Sequence, residues 1–345
     1  MTTRRPARLR SARVAACFLA AGLLAAACSS GSSSSSSAAK NENAVSAAAL
    51  SKVTLRIGDQ AGTGAEALLT AAGLINKLPF KVAWSDFPSG PPILQAIASG
   101  SLDIGGVGDA PPVFAAASGD QIAIVGALRG NPLAAAVVVP KNSPIHSVAE
   151  LRGKKIAVAE GSSGDFHLLA VLKNASLTPK DATIDYLQPT EALPAFTSGH
   201  VDAWDVWSPY IEEVTTEDGA RILVNGSSIG TTYSFEVASR SALADPAKAA
   251  AIKDYIKLIN QAHAWANTHL SAWATVWAKA TGLPNDVMLK AAGDDTETAV
   301  AITPAVINAE QQITDDFYSA GLIPTKVDFG KFSDTAFNSV VGGSS

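Results

Sequence analysis

Short apolar runs separated by amphipathic stretches set the pattern of this chain. Residues 53–58 (Val-Thr-Leu-Arg-Ile-Gly) alternate as a strand, and a helical stretch follows at 65–77. The same order continues with strands at 80–84, 102–107 and 122–126 and a helix at 91–98. Residues 134–139 are continuously apolar, as in a strand buried on both faces. A second series follows: strand 155–159, turn 161–165, helix 166–174, strand 184–187, helix 191–198, strands 201–204 and 221–224, and a returning strand at 234–239. From Asp245-Pro246 onward the pattern predicts helix alone. Ile252, Tyr255, Ile256, Ile259, His263 and Ala266 fall near helical spacing, Trp265, Trp273 and Trp277 read as packing residues, and a last helix runs from Thr303-Pro304 to a stop at Gly321. Strands separated by helices, twice over, predict an α/β fold of mainly parallel sheet, in two lobes with a ligand cleft between them.

The N-terminus belongs to neither series. Arg4, Arg5, Arg8, Arg10 and Arg13 precede an apolar run, 14–27, that is short for a membrane span. It ends in small residues before Cys28, so residues 1–27 read as a signal peptide and Cys28 as a lipidation site. The alternatives are the weaker Val14-Ala-Ala-Cys17 pattern and a plain secretory signal cleaved after an alanine. Residues 28–50 are serine-rich, then rich in Ala, Asn and Lys, and read as a flexible tether. Cys17 and Cys28 are the two cysteines of the chain, which leaves the body beyond them neither a disulfide nor a thiolate metal site. The full chain carries a formal charge of −5; loss of residues 1–27 removes five of its 26 basic residues and none of its 31 acidic ones, giving about −10. That excess of acid argues against a nucleic-acid partner.

Candidate chemistry gathers where strands give way to helices. In residues 100–112 (Gly-Ser-Leu-Asp-Ile-Gly-Gly-Val-Gly-Asp-Ala-Pro-Pro), a glycine-lined strand runs into Asp109, a helix-capping residue, with Pro111 and Pro112 in the first turn. Such a junction is expected to present unpaired N–H groups and a partial positive charge to an anion. Gly62-Thr-Gly64 and Ser89-Gly90-Pro91 repeat the arrangement, and Gln60, Thr63, Ser89, Gly90, Asp109 and Ala110 are candidate ligand contacts on the first lobe. In the second lobe Gly161-Ser162-Ser163-Gly164 opens a helix and offers hydroxyls, with Asp165 read as a helix cap in preference to a carboxylate that meets an amine on the ligand. Trp207 is the candidate aromatic wall of the cleft, Trp204 a core residue, and Tyr233 a hydroxyl donor at a hinge. Gly62-Thr-Gly64 with Asp86 about 20 residues on also fits a dinucleotide fingerprint, but an exported chain lies outside the nicotinamide pool. No H-E-x-x-H, G-x-S-x-G or Walker A pattern is present, and the five histidines are scattered, so neither catalytic residues, cofactor nor metal are expected.

The ordered set of segments 55–60, 86–91, 99–119, 143–145, 202–210 and 321–324 resembles the substrate-binding proteins of ABC importers for aliphatic sulfonates, within a wider family of nitrate, taurine and thiamine-precursor binders. The resemblance implies a type II periplasmic-binding-protein fold with two hinge crossings. It places the first part of lobe 1 at 51–137, lobe 2 at 138–234, and the return to lobe 1 with C-terminal helices at 235–345. It implies a monomeric, lipid-anchored protein outside the cytoplasm that delivers a small organic anion to a permease and its ATPase. Alternative cargoes are taurine, nitrate or a pyrimidine, and a less favoured reading is an enzyme on this fold, a nicotinamide oxidoreductase or hydrolase. The sequence departs from the family pattern at Asp165, where a His is usual, and at Ser208, which stands where the usual Trp-Asp-Pro-Tyr has its Asp.

Overall fold

The computed structural model describes residues 45–61, 64–230 and 232–341; Cys28 and Thr63 lie outside them. The chain opens with helix α1 (Ala47–Leu50), strand β1 (Thr54–Gln60), α2 (Ala65–Ala71), β2 (Lys81–Phe87), α3 (Gly90–Ala98), β3 (Ile104–Gly108), α4 (Ala110–Ala117) and β4 (Ile122–Gly130). It then builds a second body: β5 (Ala135–Val139), β6 (Lys155–Val158), α5 (Ser163–Asn174), β7 (Thr183–Tyr186), α6 (Pro189–Thr197), β8 (Ala203–Trp207), α7 (Tyr210–Glu217) and β9 (Arg221–Asn225). It returns as β10 (Tyr233–Ser239), α8 (Arg240–Leu243), α9 (Pro246–Ala266), α10 (Leu270–Thr281), α11 (Asn285–Asp294), β11 (Glu297–Val300) and α12 (Pro304–Ser319).

Two sheets result, in the orders β11-β4-β10-β3-β1-β2 and β7-β6-β8-β5-β9. β1 pairs parallel with β2 and β3, and β6 parallel with β7 and β8. Each sheet receives its crossing strand antiparallel: β5 between β8 and β9, β10 between β3 and β4. Both crossing strands are interior and largely buried, because neighbours hydrogen-bond both edges while helices cover the faces.

Three expectations shift here. Ala135 to Val138 pair with β8, so the first crossing lies at 131–134, before the apolar run rather than within it, and the second ends before Tyr233. Lobe 2 therefore starts about three residues before the expected 138, and the return starts before 235. The expected tether also ends early, since α1 packs on lobe 1 with Leu50 buried. Finally, the region after Asp245 is not all helix: β11 pairs antiparallel with Ala127–Gly130 of β4. It is short and lies at a sheet edge, where alternation carries little signal.

Lobe 1 has apolar layers on both faces of its sheet, one against α2, α9, α10 and α11, the other against α3, α4 and α12. Close approach there explains one glycine: a Cβ on Gly105 would lie 2.5 Å from Ile93 Cγ2 of α3. Asp103, just before β3, ties the elements together. Its carboxylate accepts from the Arg56 backbone and guanidinium and from Lys248 of α9, at 2.7–3.1 Å. Burial disfavours its charge, but these donors outweigh burial and hold the carboxyl below its usual range. Asp103→Ala is expected to cost about 2–3 kcal/mol, at the low end for a broken buried pair, because Arg56 and Lys248 remain partly solvated. Urea unfolding would measure it; a loss under about 0.5 kcal/mol would show the bridge to be a surface pair in energy.

Candidate functional site

A cavity of about 220 Å³ opens where the two lobes meet and runs into lobe 1. The lobes touch on both sides of it. On one side Phe114 of α4 lies against Gly161, Phe166 of α5 packs at 6.0 Å from Phe317 of α12, and Lys173 pairs with Asp316 at 2.8 Å. On the other, Lys290 of α11 donates to Thr215 of α7 at 3.4 Å. Between them, Ser89 Oγ donates to Gln188 Oε1 at 2.7 Å, and the Ser163 hydroxyl donates to Asp109. A Cβ on Gly108 would stand 1.8 Å from Ser163 Oγ, so only glycine admits this approach. The lobes are closed on each other.

Closure assigns several candidate residues to other tasks. Ser89 is fully buried, its hydroxyl is committed to Gln188, and it does not line the cavity. Ala110 is also fully buried and outside the lining; its N–H goes to Asp109 Oδ1 at 2.8 Å. The expected anion-binding turn at α4 is therefore not formed. A capping side chain normally accepts from the second or third helical residue, and here both are prolines without N–H groups. Asp109 turns to its neighbour and to Ser163, and burial still pushes its carboxyl up to about 6 against these bonds and the charge of His167. The α2 turn is likewise occupied: Asp59 Oδ1 accepts from Ala65 N–H and Oδ2 from Glu66 N–H. The Ser162 hydroxyl donates to Ala159 O at 2.6 Å and accepts from Asp165 N–H.

Other candidates do face the cavity. Gln60, Gly90, Asp109, Ser162, Ser163, Trp207 and Tyr233 line it. Gly90 also serves packing, since a Cβ would meet Pro111 at 2.8 Å. Trp207 is half-buried at the rim of β8, edge-on to Tyr210, while Trp204 is fully buried against Phe196 and Tyr210. Gly164 does not line the cavity, but its N–H and that of Ser163 meet no acceptor among the described residues. They leave α5, a helix of 12 residues, with uncommitted donors at its positive end. Asp165 caps this turn by accepting from Gly161 N–H at 2.9 Å; burial, with Asp205 and Glu160 nearby, pushes its carboxyl up to about 6.

Behind the α5 turn lies a buried pair. His167 Nδ1 and Asp205 Oδ2 are 2.7 Å apart, with the side chains essentially inaccessible. Burial opposes the charged imidazole, but Asp205 outweighs it and holds His167 above its ordinary pKa. His167 also lines the cavity, close enough to Asp109 for their charges to interact.

The lobe-1 end of the cavity was not foreseen. Asp59, Glu236, His263, Asp295 and Glu297 line it, with Trp273 and Trp277 of α10. The two tryptophans stack at 4.9 Å and are core residues as expected, but they also wall the cavity. These groups come from β1, β10, α9, α11–β11 and α10, too far apart in sequence to show a spacing. One signal was legible: Glu236 interrupts the apolar run Phe235-Glu236-Val237-Ala238 of a central strand.

A family description, NMT1/THI5 like, matches residues 88–268. A protein of Escherichia coli (strain K12) named as an aliphatic sulfonates-binding protein is 36% identical over 285 residues, 82% of this chain and 89% of that protein. One of Bacillus subtilis (strain 168) with the same name is 31% identical over 257 residues, 74% and 77% of the two chains. Among solved structures, the alkanesulfonate-binding protein SsuA from Xanthomonas axonopodis pv. citri, bound to MOPS, matches with a TM-score of 0.75 at 34% identity, over 81% of this chain and 98% of that one. With two sheets, two crossings and a cleft cavity, the chain belongs to the NMT1/THI5-like family and has the two-lobed type II architecture of periplasmic binding proteins.

Proposed function

We propose that this protein is an extracytoplasmic solute-binding lipoprotein that delivers an aliphatic sulfonate to an ABC importer. The observation that carries the reading is the first turn of α5, whose Ser163 and Gly164 N–H groups stand uncommitted where the lobes close. A sulfonate presents three acceptor oxygens, which suit neutral donors at a helix N-terminus. The Tyr233 hydroxyl and Trp207 lie on the same cavity, the first for a further oxygen and the second against an alkyl tail. A ligand that bonds both lobes favours the closed arrangement and so shifts the population toward it. The Arg-rich start, the apolar run and Cys28 support export and acylation; a permease with its ATPase would be the partners. Relatives named as binding proteins support a role of holding and releasing a small anion with no step of chemistry.

Isothermal titration of the purified protein with ethane- to hexanesulfonate tests this. Saturable binding is expected, with affinity rising about three- to fourfold per methylene, from about 0.8 kcal/mol per buried CH₂. Nitrate is expected to bind weakly, as it has no tail to bury. No heat with any sulfonate would overturn the proposal.

A further inference from the structure

The described residues lining the cavity include five carboxylates, Asp59, Asp109, Glu236, Asp295 and Glu297, and neither lysine nor arginine. Asp109 is the one that meets the α5 turn directly. It is 2% exposed, lines the cavity from lobe 1, and takes the Ser163 hydroxyl of lobe 2. Ser163 also carries one of the two N–H groups of that turn that meet no acceptor among the described residues. An anion oxygen on this N–H is separated from the Asp109 carboxylate by two hydrogen bonds and one serine, at most about 9 Å.

Nearby groups do not cancel the charge of Asp109. His167, four residues on in α5, is paired with Asp205 at 2.7 Å, so the pair as a whole is neutral. Its Nε2 is buried without a hydrogen-bond partner; the Asn225 backbone favours the charged ring without bonding this atom in ordinary geometry. Asp165 faces the turn from the other side and is committed to Gly161 N–H. Glu310 of α12 feels Asp109, and burial together with that charge pushes its carboxyl well up, so it stays protonated at neutral pH. At the lobe-1 end, burial lowers the pKa of His263, which supplies little positive charge. An ionised Asp109 therefore repels an arriving anion. It also takes the one O–H that Ser163 can donate.

We propose that the protein takes up one proton from solvent with each anion it binds, that Asp109 receives it, and that this turns the Ser163 hydroxyl toward the anion. The inference rests on the sulfonate reading above and names the residue that regulates the same site. The protonated carboxyl donates its O–H to Ser163 Oγ, so the bond across the lobes is kept with its direction reversed. The Ser163 O–H is then free to donate beside the Ser163 and Gly164 N–H groups, one donor for each oxygen of a sulfonate. Asp109 Oδ1 goes on accepting from Ala110 N–H at 2.8 Å. A sulfonate is fully ionised at neutral pH, so the proton is bound by the protein and not by the ligand.

Burial has already brought Asp109 up to about 6. A negative charge at about 9 Å, in an effective dielectric of about 20, favours protonation by about a further tenfold. Closure acts in the same direction, because with the lobes apart the carboxyl regains water and its ordinary value near 4. The bound state therefore holds more protons, and affinity is lost as the pH rises through the raised value. Glu236, at about 8, is already protonated at pH 7 and adds little uptake there.

Isothermal titration of the purified protein with butane-1-sulfonate, in phosphate and in imidazole buffer at pH 7, counts the proton. Uptake of about half a proton or more per ligand is expected, and affinity is expected to fall about three- to tenfold from pH 6 to pH 7.5. Asp109→Asn imitates the protonated carboxyl, its Oδ1 accepting from Ala110 and its Nδ2 donating to Ser163. This variant is expected to bind without proton uptake, with affinity level over that range and about threefold or more tighter than native at pH 7.5. A residue that only caps α4 or latches the lobes would give weaker or equal binding and the native pH profile. Should the variant fold poorly, carboxyl-carbon NMR of the aspartate-labelled native protein reads the same proton on Asp109 as ligand is added. Binding without proton uptake overturns the inference alone. Uptake that persists in Asp109→Asn, or an Asp109 resonance that stays ionised, does the same. No heat with any alkanesulfonate overturns the sulfonate reading and this inference with it.

Discussion

Gly108→Ala is expected to weaken ligand binding by about ten- to a hundredfold and to leave the urea midpoint nearly unchanged. The new Cβ would stand 1.8 Å from Ser163 Oγ and 3.1 Å from Ser163 Cβ. Rotating the hydroxyl away relieves the first contact but breaks its bond to Asp109, and the second still pushes α5 off β3. A hydrogen bond to a buried charged group is worth about 1.5–3 kcal/mol, and each 1.4 kcal/mol is tenfold in affinity. That loss falls on the closed arrangement alone, because Gly108 and Ser163 belong to different lobes. With the lobes apart the alanine meets nothing from lobe 2, so folding is little affected. Titration with the best-binding sulfonate would read the effect, and small-angle scattering would show a larger radius with ligand present. Binding within twofold of the native protein would mean that closure does not need this contact.

Stability without ligand is expected to be greatest in mild acid and to fall by several kcal/mol between pH 4.5 and 8. Burial raises Asp109 and Asp165 to about 6 and Glu236 to about 8, and it raises Glu310 well above its ordinary value. Each group has a folded pKa above its unfolded one near 4. Below the unfolded value both states are protonated and the group is neutral to stability. Above it the unfolded chain ionises first, the folded state holds more protons, and stability drops until the folded pKa is passed. The windows are therefore about 4 to 6 for the two aspartates and about 4.5 to 8 for Glu236. His167, also raised, adds a loss above about 6.5. Asp103 has the opposite sign: its pKa is lowered, and its contribution is lost only as the pH falls below about 4. Urea titrations at pH 4.5, 6 and 8 would trace the profile. Glu310 makes the sharpest point, as it is fully buried on α12 and neither carboxyl oxygen has a partner. Glu310→Met, similar in volume and apolar, is expected to gain about 1–3 kcal/mol at pH 8 and to flatten the slope. A profile that is flat or rises toward pH 8 would refute the assignment.

Much of the fold was legible because it is written in local periodicity. The apolar runs at 53–58, 102–107 and 155–159 sit between helix signals, and each became a strand within a residue or two of its expected ends. The edge strand Glu297–Val300 was not legible, since its pairing with β4 is formed over more than 160 residues of intervening chain. The site divided along the same line. Trp207 and Trp204 could be assigned to cleft and core because strand alternation separates their faces. Ser89 could not be assigned: a serine before a helix reads as a donor, and only the approach of Gln188 from the other lobe commits its hydroxyl elsewhere.

By itself the amino-acid order determined the two βα series, the crossings near their place and the family resemblance, all of which depend on neighbours along the chain. The tertiary structure decided which helix ends still have donors to offer. Prolines silence α4, Asp59 takes the first two N–H groups of α2, and α5 keeps two N–H groups that meet no acceptor among the described residues. It also decided that Asp59, Glu236, Asp295 and Glu297 share one cavity. The physical reason is common to both: hydrogen-bond satisfaction and charge burial depend on what lies within a few ångströms in space, and folding brings those groups together from distant points of the chain.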